Sequence, residues 1–192
     1  MRRIVRQIGP CELRPKRLPP FQSLVHAIIH QQVSGQAAGT IFRRFQTRFG
    51  DGQFPAPEAV LACGAQGMRA AGLSRPKARY ILELATRAKD GRLPTLKECD
   101  QMTDEQLLES LTESKGVGRW TAEMLLIFNL GRPDVLPVHD LGVQRGFQKA
   151  YRKRRLPEPD ELASIGVKWA PYRTTAALYL WRAADSDPAT EW

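Results

Sequence analysis

A chain of 192 residues, 42% hydrophobic and 26% charged, is long enough for one buried core or for two small lobes sharing one. It holds no run of 18 apolar residues, and the opening MRRIVRQIGP lacks the apolar stretch of a signal peptide, so an intracellular, non-spanning protein is expected. Lysine and arginine outnumber aspartate and glutamate by 29 to 20, a formal charge of +9, which favours a polyanionic partner and nucleic acid first.

Along the chain, Phe21 to Phe49 spaces Leu24, Val25, Ile28 and Ile29, then Val33, Ala37, Ile41, Phe42 and Phe45, by threes and fours, which predicts helix throughout. Gly35, Ala37, Ala38 and Gly39 weaken that helix intrinsically and therefore mark close contact with another helix or a ligand backbone. Gly50, Gly52, Pro55 and Pro57 end the segment. Short helices are expected over Pro57 to Cys63 and Gln66 to Ala71, and a longer one over Arg75 to Lys89 with Ser74 as N-cap and Pro76 in the first turn. Gly91, Pro94 and Thr95 read as a connector.

Thr103-Asp-Glu-Gln106 has capping-box spacing and opens a helix carrying Leu107, Leu108 and Leu111. After the turn SKGVG a second helix runs from about Gly118 to Leu130, with Thr121, Leu125 and Phe128 along one side. Gly131-Arg-Pro133 breaks the chain; Asp140 stands at the start of a helix ending near Tyr151. The basic run Arg152 to Arg155 with Pro157 and Pro159 marks a loop, helices near Asp160 to Lys168 and Tyr172 to Ala184 follow, and an acidic tail is expected to fray. No strand alternation occurs, so the fold class is all-α.

In SKGVGRW, Gly116 and Gly118 permit positive φ and carry no β-carbon to obstruct an approaching group, while Val117 anchors the turn in the core. The amides opening the next helix, with Lys115 and Arg119 beside them, then form a site for a phosphate oxygen. A bare GVG turn also reads as an ordinary glycine-capped connection between helices. Its place between a capped leucine helix and a second amphipathic helix, with the Asp140 helix next, favours DNA.

LTESKGVGRWTAEMLLIFNLGRPDVLPVHDLGVQRGF resembles the helix-hairpin-helix signature, with its Gly/Pro-rich loop and aspartate, of the HhH-GPD DNA glycosylase superfamily. LVHAIIHQQVSGQAAGTIFRRF, GLSRPKARYI and WAPYRTTAALYLWR resemble the 3-methyladenine DNA glycosylase II branch, in a minimal form without an N-terminal β domain. The resemblance implies a single glycosylase domain, residues 1–192, of two helical lobes at about 21–100 and 101–184, with the active-site cleft between them and the N-terminal segment packed on either. It implies a monomeric base excision repair enzyme that flips an alkylated purine, of the 3-methyladenine or 7-methylguanine type, from double-stranded DNA and hydrolyses its N-glycosidic bond. Etheno or deaminated purines are the alternative substrates, and a non-catalytic DNA-binding module the alternative class.

Cleaving a base from its sugar builds positive charge on the sugar, which a fixed carboxylate stabilises. An alkylated purine is already cationic and leaves without a general acid, so one carboxylate suffices. Asp140 matches the family aspartate; the plainer reading is a helix cap. Asp134, six residues earlier, reads as a turn residue. In strand-nicking relatives the residue after the hairpin arginine is a lysine nucleophile; Trp120 stands there, which implies a monofunctional enzyme leaving an abasic site.

The indole of Trp120 suits a cationic base, a contact worth roughly 0.5 to 2 kcal/mol. By resemblance Met124, Trp169 and Tyr172 join the base pocket, Met124 where some relatives carry an aromatic, while Trp181 reads as core. Gln32 matches the position that wedges into the stack vacated by the flipped nucleotide. DNA contacts are expected from Ser74, Lys77, Lys115, Gly116, Val117, Gly118, Arg119, Thr121 and Arg173, with Arg152 to Arg155 adding long-range attraction. The carbonyls of Thr112, Ser114 and Val117 would hold a monovalent cation, Na+ or K+. His26 and His30 lack a third ligand for zinc, and Cys11, Cys63 and Cys99 fit no iron–sulfur or disulfide spacing.

Overall fold

The computed structural model describes residues 1–185 and is helical, with no strand among them; the acidic tail expected to fray lies, beyond Asp185, outside the described residues. The chain divides into two compact units, Arg17–Leu125 and Met1–Lys16 with the chain from Leu126 on. The expected lobe boundary near residue 100 is thus moved to residue 125, and the N-terminal segment goes with the C-terminal unit.

The unit Arg17–Leu125 opens with α2 (Pro20–His30), following the short α1 (Arg2–Ile8) of the other unit, and continues with α3 (Gly35–Gly50). The sequence predicts one helix here, but Gln31 to Ser34 form a turn in which Gln32 takes φ 55° and the Ser34 hydroxyl caps α3 through the Ala37 amide. Nothing in that turn except serine breaks helices, so apolar spacing alone ran straight through it.

α4 (Pro57–Ala70) contains the expected interruption at Gly64, with φ 59°, and α5 (Arg75–Lys89) has Ser74 as its cap and proline in its first turn. The supposed connector at Thr95 is instead a complete capping box, Thr95 with Glu98, starting α6 (Leu96–Gln101). The second box, Thr103 with Gln106, starts α7 (Asp104–Thr112) as expected, and α8 (Arg119–Met124) follows the glycine turn. Leu24, Val25, Ile28 and Ile29 of α2 are fully buried, as are Phe45, Met68, Ile81, Leu84, Leu107 and Leu111. Each such side chain contributes about 1.5 to 3 kcal/mol, and together they fix α2 beside α3 and α5.

The chain continues from α8 through a wider-wound π-helical segment, Leu125–Leu130, which ends at Gly131 with φ 73°. The second unit is built on α9 (Leu141–Ala150) packed along α11 (Arg173–Asp185), with α1 against α11 and α10 (Pro159–Gly166) completing it. Ile4, Val143, Phe147, Leu162, Ala177 and Leu180 form its core. α9 lies so close to α11 that a β-carbon on Gly146 would run into the Leu180 carbonyl, so glycine is required there. The Tyr179 hydroxyl donates to the Gly9 carbonyl at 2.9 Å and ties the N-terminal segment down.

Candidate active site

The two glycines of the turn have separate tasks. Gly116 sits at φ 85°, and a β-carbon on it would collide with the Tyr80 ring; Gly118 has ordinary extended backbone, φ −85° and ψ 170°, and a β-carbon there would meet nothing within 4 Å. The expectation of positive φ therefore holds for Gly116 alone, while Gly118 keeps the approach to the helix open. Val117 is buried, anchoring the turn. The first bond of α8 runs from the Ala122 amide to the Gly118 carbonyl, so the preceding amides have no acceptor within the helix. Arg119, 64% exposed, pairs with buried Glu123 at 3.0 Å, which neutralises part of its charge while leaving most of the guanidinium in solvent.

Beside the turn, in the same unit, Ala27, His30, Gln31, Gln32, Trp120, Thr121 and Met124 line a pocket of about 470 Å³, within the usual size of small-molecule sites of ~300–1,000 Å³. Trp120 is 50% exposed, so much of its indole is open to contact. The structure thus gathers two residues expected at the base, Trp120 and Met124, together with Gln32, the expected wedge, and adds His30 and Gln31. Gln31 donates from Nε2 to the Gly116 carbonyl at 3.0 Å, locking the end of α2 to the glycine turn.

In the other unit, Asp140 caps α9: its Oδ1 accepts the Val143 amide at 2.8 Å. The same oxygen accepts the indole Nε1–H of Trp181 at 2.7 Å. A helix N-terminus and an indole, both donors, converge on this oxygen and fix the orientation of the side chain. The cap and the catalytic reading are therefore compatible. Gly142 makes this corner tight, since a β-carbon on it would come 2.7 Å from Trp181 Cδ1 and 3.0 Å from Asp140 Oδ1.

The family model for HhH-GPD superfamily base excision DNA repair proteins matches residues 25–171. The chain belongs to the HhH-GPD superfamily. Among its members, DNA-3-methyladenine glycosylase 1 of Schizosaccharomyces pombe is 38% identical over 185 residues, covering 94% of this chain and 80% of the relative. Of solved structures in the superfamily, a Bacillus halodurans DNA-3-methyladenine glycosidase superposes with a TM-score of 0.88 at 38% identity, covering 96% of this chain and 83% of that one. The Schizosaccharomyces pombe 3-methyladenine DNA glycosylase in complex with abasic DNA superposes with a TM-score of 0.82 at 35% identity, covering 97% and 93%.

Several HhH-GPD contact residues expected from the sequence are committed elsewhere. Lys77 directs its ammonium to the carbonyls of Ile29 at 2.8 Å and Gln31 at 2.6 Å, capping the end of α2 rather than reaching for phosphate. Burial pulls its pKa below the ordinary lysine value. Ser74 spends its hydroxyl as an acceptor on α5, and the Lys115 amide donates to Glu83 Oε2 at 3.0 Å. Arg173 is paired through Nε and Nη2 with Asp134 at 2.8 and 2.9 Å; the guanidinium holds Asp134 below the usual carboxylate range, so Asp134 is an ion-pair partner rather than a mere turn residue.

Trp169 packs toward Phe147, with ring centres 6.4 Å apart, against the core of its unit, while Tyr172 is 67% exposed. Thr121 is buried in the pocket wall, which removes it from the expected phosphate contacts. His26 and His30 stack at 4.0 Å. Sequence reasoning also passed over a cationic groove lined by Thr40, Arg43, Arg44, Thr47 and Arg48 of α3 with Ala70 and Ala71; the threonine–arginine alternation on one helix face was its only signal.

Proposed function

We propose that this chain is a monofunctional DNA glycosylase of base excision repair that removes alkylated purines, of the 3-methyladenine and 7-methylguanine type, from double-stranded DNA. Membership of the superfamily places it on DNA, and therefore inside the cell. The observation that carries the reading is Asp140, whose carboxylate is held rigidly by the Val143 amide and the Trp181 indole in a chain so similar to named 3-methyladenine glycosylases.

The pocket of Trp120 and Met124 receives the flipped base, Gln32 fills the vacated stack, and Asp140 acts on the sugar. Water adds at the anomeric carbon while the glycosidic bond breaks; the electron pair of that bond leaves with the cationic base, which departs neutral, and the water's surplus proton passes to solvent. Asp140 stabilises the positive sugar along that path, a contribution of about 3 to 4 kcal/mol for a well-aimed group. Trp120 offers no amine to attack the sugar, so the product is an intact strand with an abasic site.

Phosphate contacts fall to the amides at Gly118 and Arg119, to the Arg119 guanidinium, and to the Arg43, Arg44 and Arg48 groove. The hairpin fits a monovalent cation: Ser114 is buried and its hydroxyl has no hydrogen-bond partner, leaving acceptor capacity at the loop whose Thr112, Ser114 and Val117 carbonyls would hold the ion. When bound, such an ion supplies positive charge toward a phosphate. The enzyme acts as a monomer.

Incubation with methylated duplex DNA tests the reading. Free 3-methyladenine should appear, with strand breaks only after heat or alkali. Breaks without treatment would contradict the monofunctional assignment, and DNA binding with no base released would reduce the chain to a binding module.

A further inference from the structure

Two side chains at the end of α2 meet the pocket with a donor already engaged by a main-chain carbonyl. His30 Nδ1 lies 2.9 Å from the His26 carbonyl. A carbonyl only accepts, so Nδ1 is the donor nitrogen, and in the tautomer this bond selects Nε2 is the acceptor. The ring cannot turn freely, because His26 stacks on it at 4.0 Å and 21° and is itself held edge-on by Phe42 at 5.0 Å. Gln31 donates one of its two amide Nε2–H groups to the Gly116 carbonyl at 3.0 Å, which fixes the amide and leaves its Oε1 as an acceptor beside the second N–H. Both residues line the same pocket as Trp120 and Met124.

The remaining polar groups there, the Thr121 hydroxyl and the Gln32 amide, both donate and accept and so favour neither kind of partner. Alanine, methionine and the indole face supply the rest of the wall. The fixed acceptor of the wall is His30 Nε2, with Gln31 Oε1 beside it, against an aromatic surface.

We propose that His30, supported by Gln31, is a specificity-determining residue that selects purines carrying an exocyclic amine. Resting on the glycosylase reading above, it narrows the substrate class. A cationic base with an amino group donates to the His30 Nε2 lone pair while its charge rests on Trp120. A base whose amino nitrogen is closed into an etheno ring has no N–H to donate and leaves the lone pair unmatched, which a desolvated site penalises.

The test uses two pairs of duplex substrates that keep the methyl-derived charge and differ in the amine alone. One is 7-methyladenine against 7-methylpurine; the other is 7-methylguanine against 7-methylhypoxanthine. Each rate is taken as kcat/KM over the spontaneous loss of the same base. The wild type should prefer the amino-bearing member of at least one pair by about tenfold. His30→Phe, which keeps a ring to stack on His26 but has no lone pair, should bring that preference to twofold or less. His30→Gln, which restores an acceptor, should recover part of it.

Wild-type rates within twofold in both pairs would overturn the proposal, and that comparison needs no variant to fold. So would a preference that survives unchanged in His30→Phe. Failure of the wild type to release any of the four bases would overturn the proposal alone if 3-methyladenine is still released from methylated duplex DNA; if that base too stays in place, the glycosylase reading itself falls.

Discussion

The two units prepare their functional groups by opposite means. At the end of α2, main-chain carbonyls engage a side-chain donor of each residue, His30 on His26 and Gln31 on Gly116, which leaves His30 Nε2 and Gln31 Oε1 as acceptors on residues that line the pocket. At the start of α9 the functional group is an acceptor, and the surroundings supply donors: the Val143 amide and the Trp181 indole converge on one oxygen of Asp140. A recognition wall can be made from local hydrogen bonds along one helix and a turn. A charge that must act at one point needs a second helix to aim it.

Glycine marks the same contrast. Gly116 and Gly118 shape a turn, whereas Gly142 and Gly146 let α9 sit against α11 closely enough for Trp181 to reach Asp140.

The strongest way to break the α9 corner is at its packing. Gly146→Ala would drive a methyl group into the Leu180 carbonyl, and backbone offers no rotamer to move, so destabilisation of about 3 kcal/mol or more is expected; a urea titration reads it as a lower midpoint. The turn should divide similarly but less severely. Gly116→Ala combines positive φ with the Tyr80 ring and should cost about 1 to 3 kcal/mol. Gly118→Ala, with open space over it, should leave the melting temperature nearly unchanged while weakening duplex binding. Equal melting temperatures for both variants would show that the turn does not hold the geometry described.

Smaller effects sharpen the roles. Trp181→Phe keeps a ring beside Phe128, 5.5 Å away, but removes the donor to Asp140, and about a tenfold loss in kcat with little change in KM is expected from one charge-assisted bond. An unchanged kcat would return Trp181 to plain core. Lys77→Met removes the cap on α2 and should lower stability by about 1 to 2 kcal/mol. Its salt slope for DNA binding should stay as in the wild type; a slope reduced by about 0.9 would make Lys77 a phosphate ligand after all.

Most helices were legible because their signals are local. Ser74 with Pro76, the Thr103 box and the glycine turn each lie within a few residues and act within them. Asp140 was legible by its place after the hairpin. What escaped was everything carried by distance in sequence. Trp181 reaches Asp140 across 41 residues, and Lys77 reaches the Gln31 carbonyl across 46.

An indole in an apolar stripe and a lysine in a basic segment look the same whether they are core or cap, phosphate ligand or internal brace. The turn at Gln31 was missed for a related reason: its conformation is held by Lys77 and the glycine hairpin, not by any strong breaker of its own. The Arg173 and Asp134 pair, likewise 39 residues apart, converts a supposed DNA contact and a supposed turn residue into one structural bond.

The most direct measurement compares the wild type with Asp140→Asn in single-turnover release of 3-methyladenine, alongside duplex affinity. Asparagine keeps an oxygen for the Val143 amide and the Trp181 indole, so the corner should stay folded while the charge is lost. The account predicts affinity within threefold of wild type and release slowed by about 10² to 10³-fold. Release at the wild-type rate would contradict it, since no fixed negative charge would then be needed to carry the sugar through its cationic state.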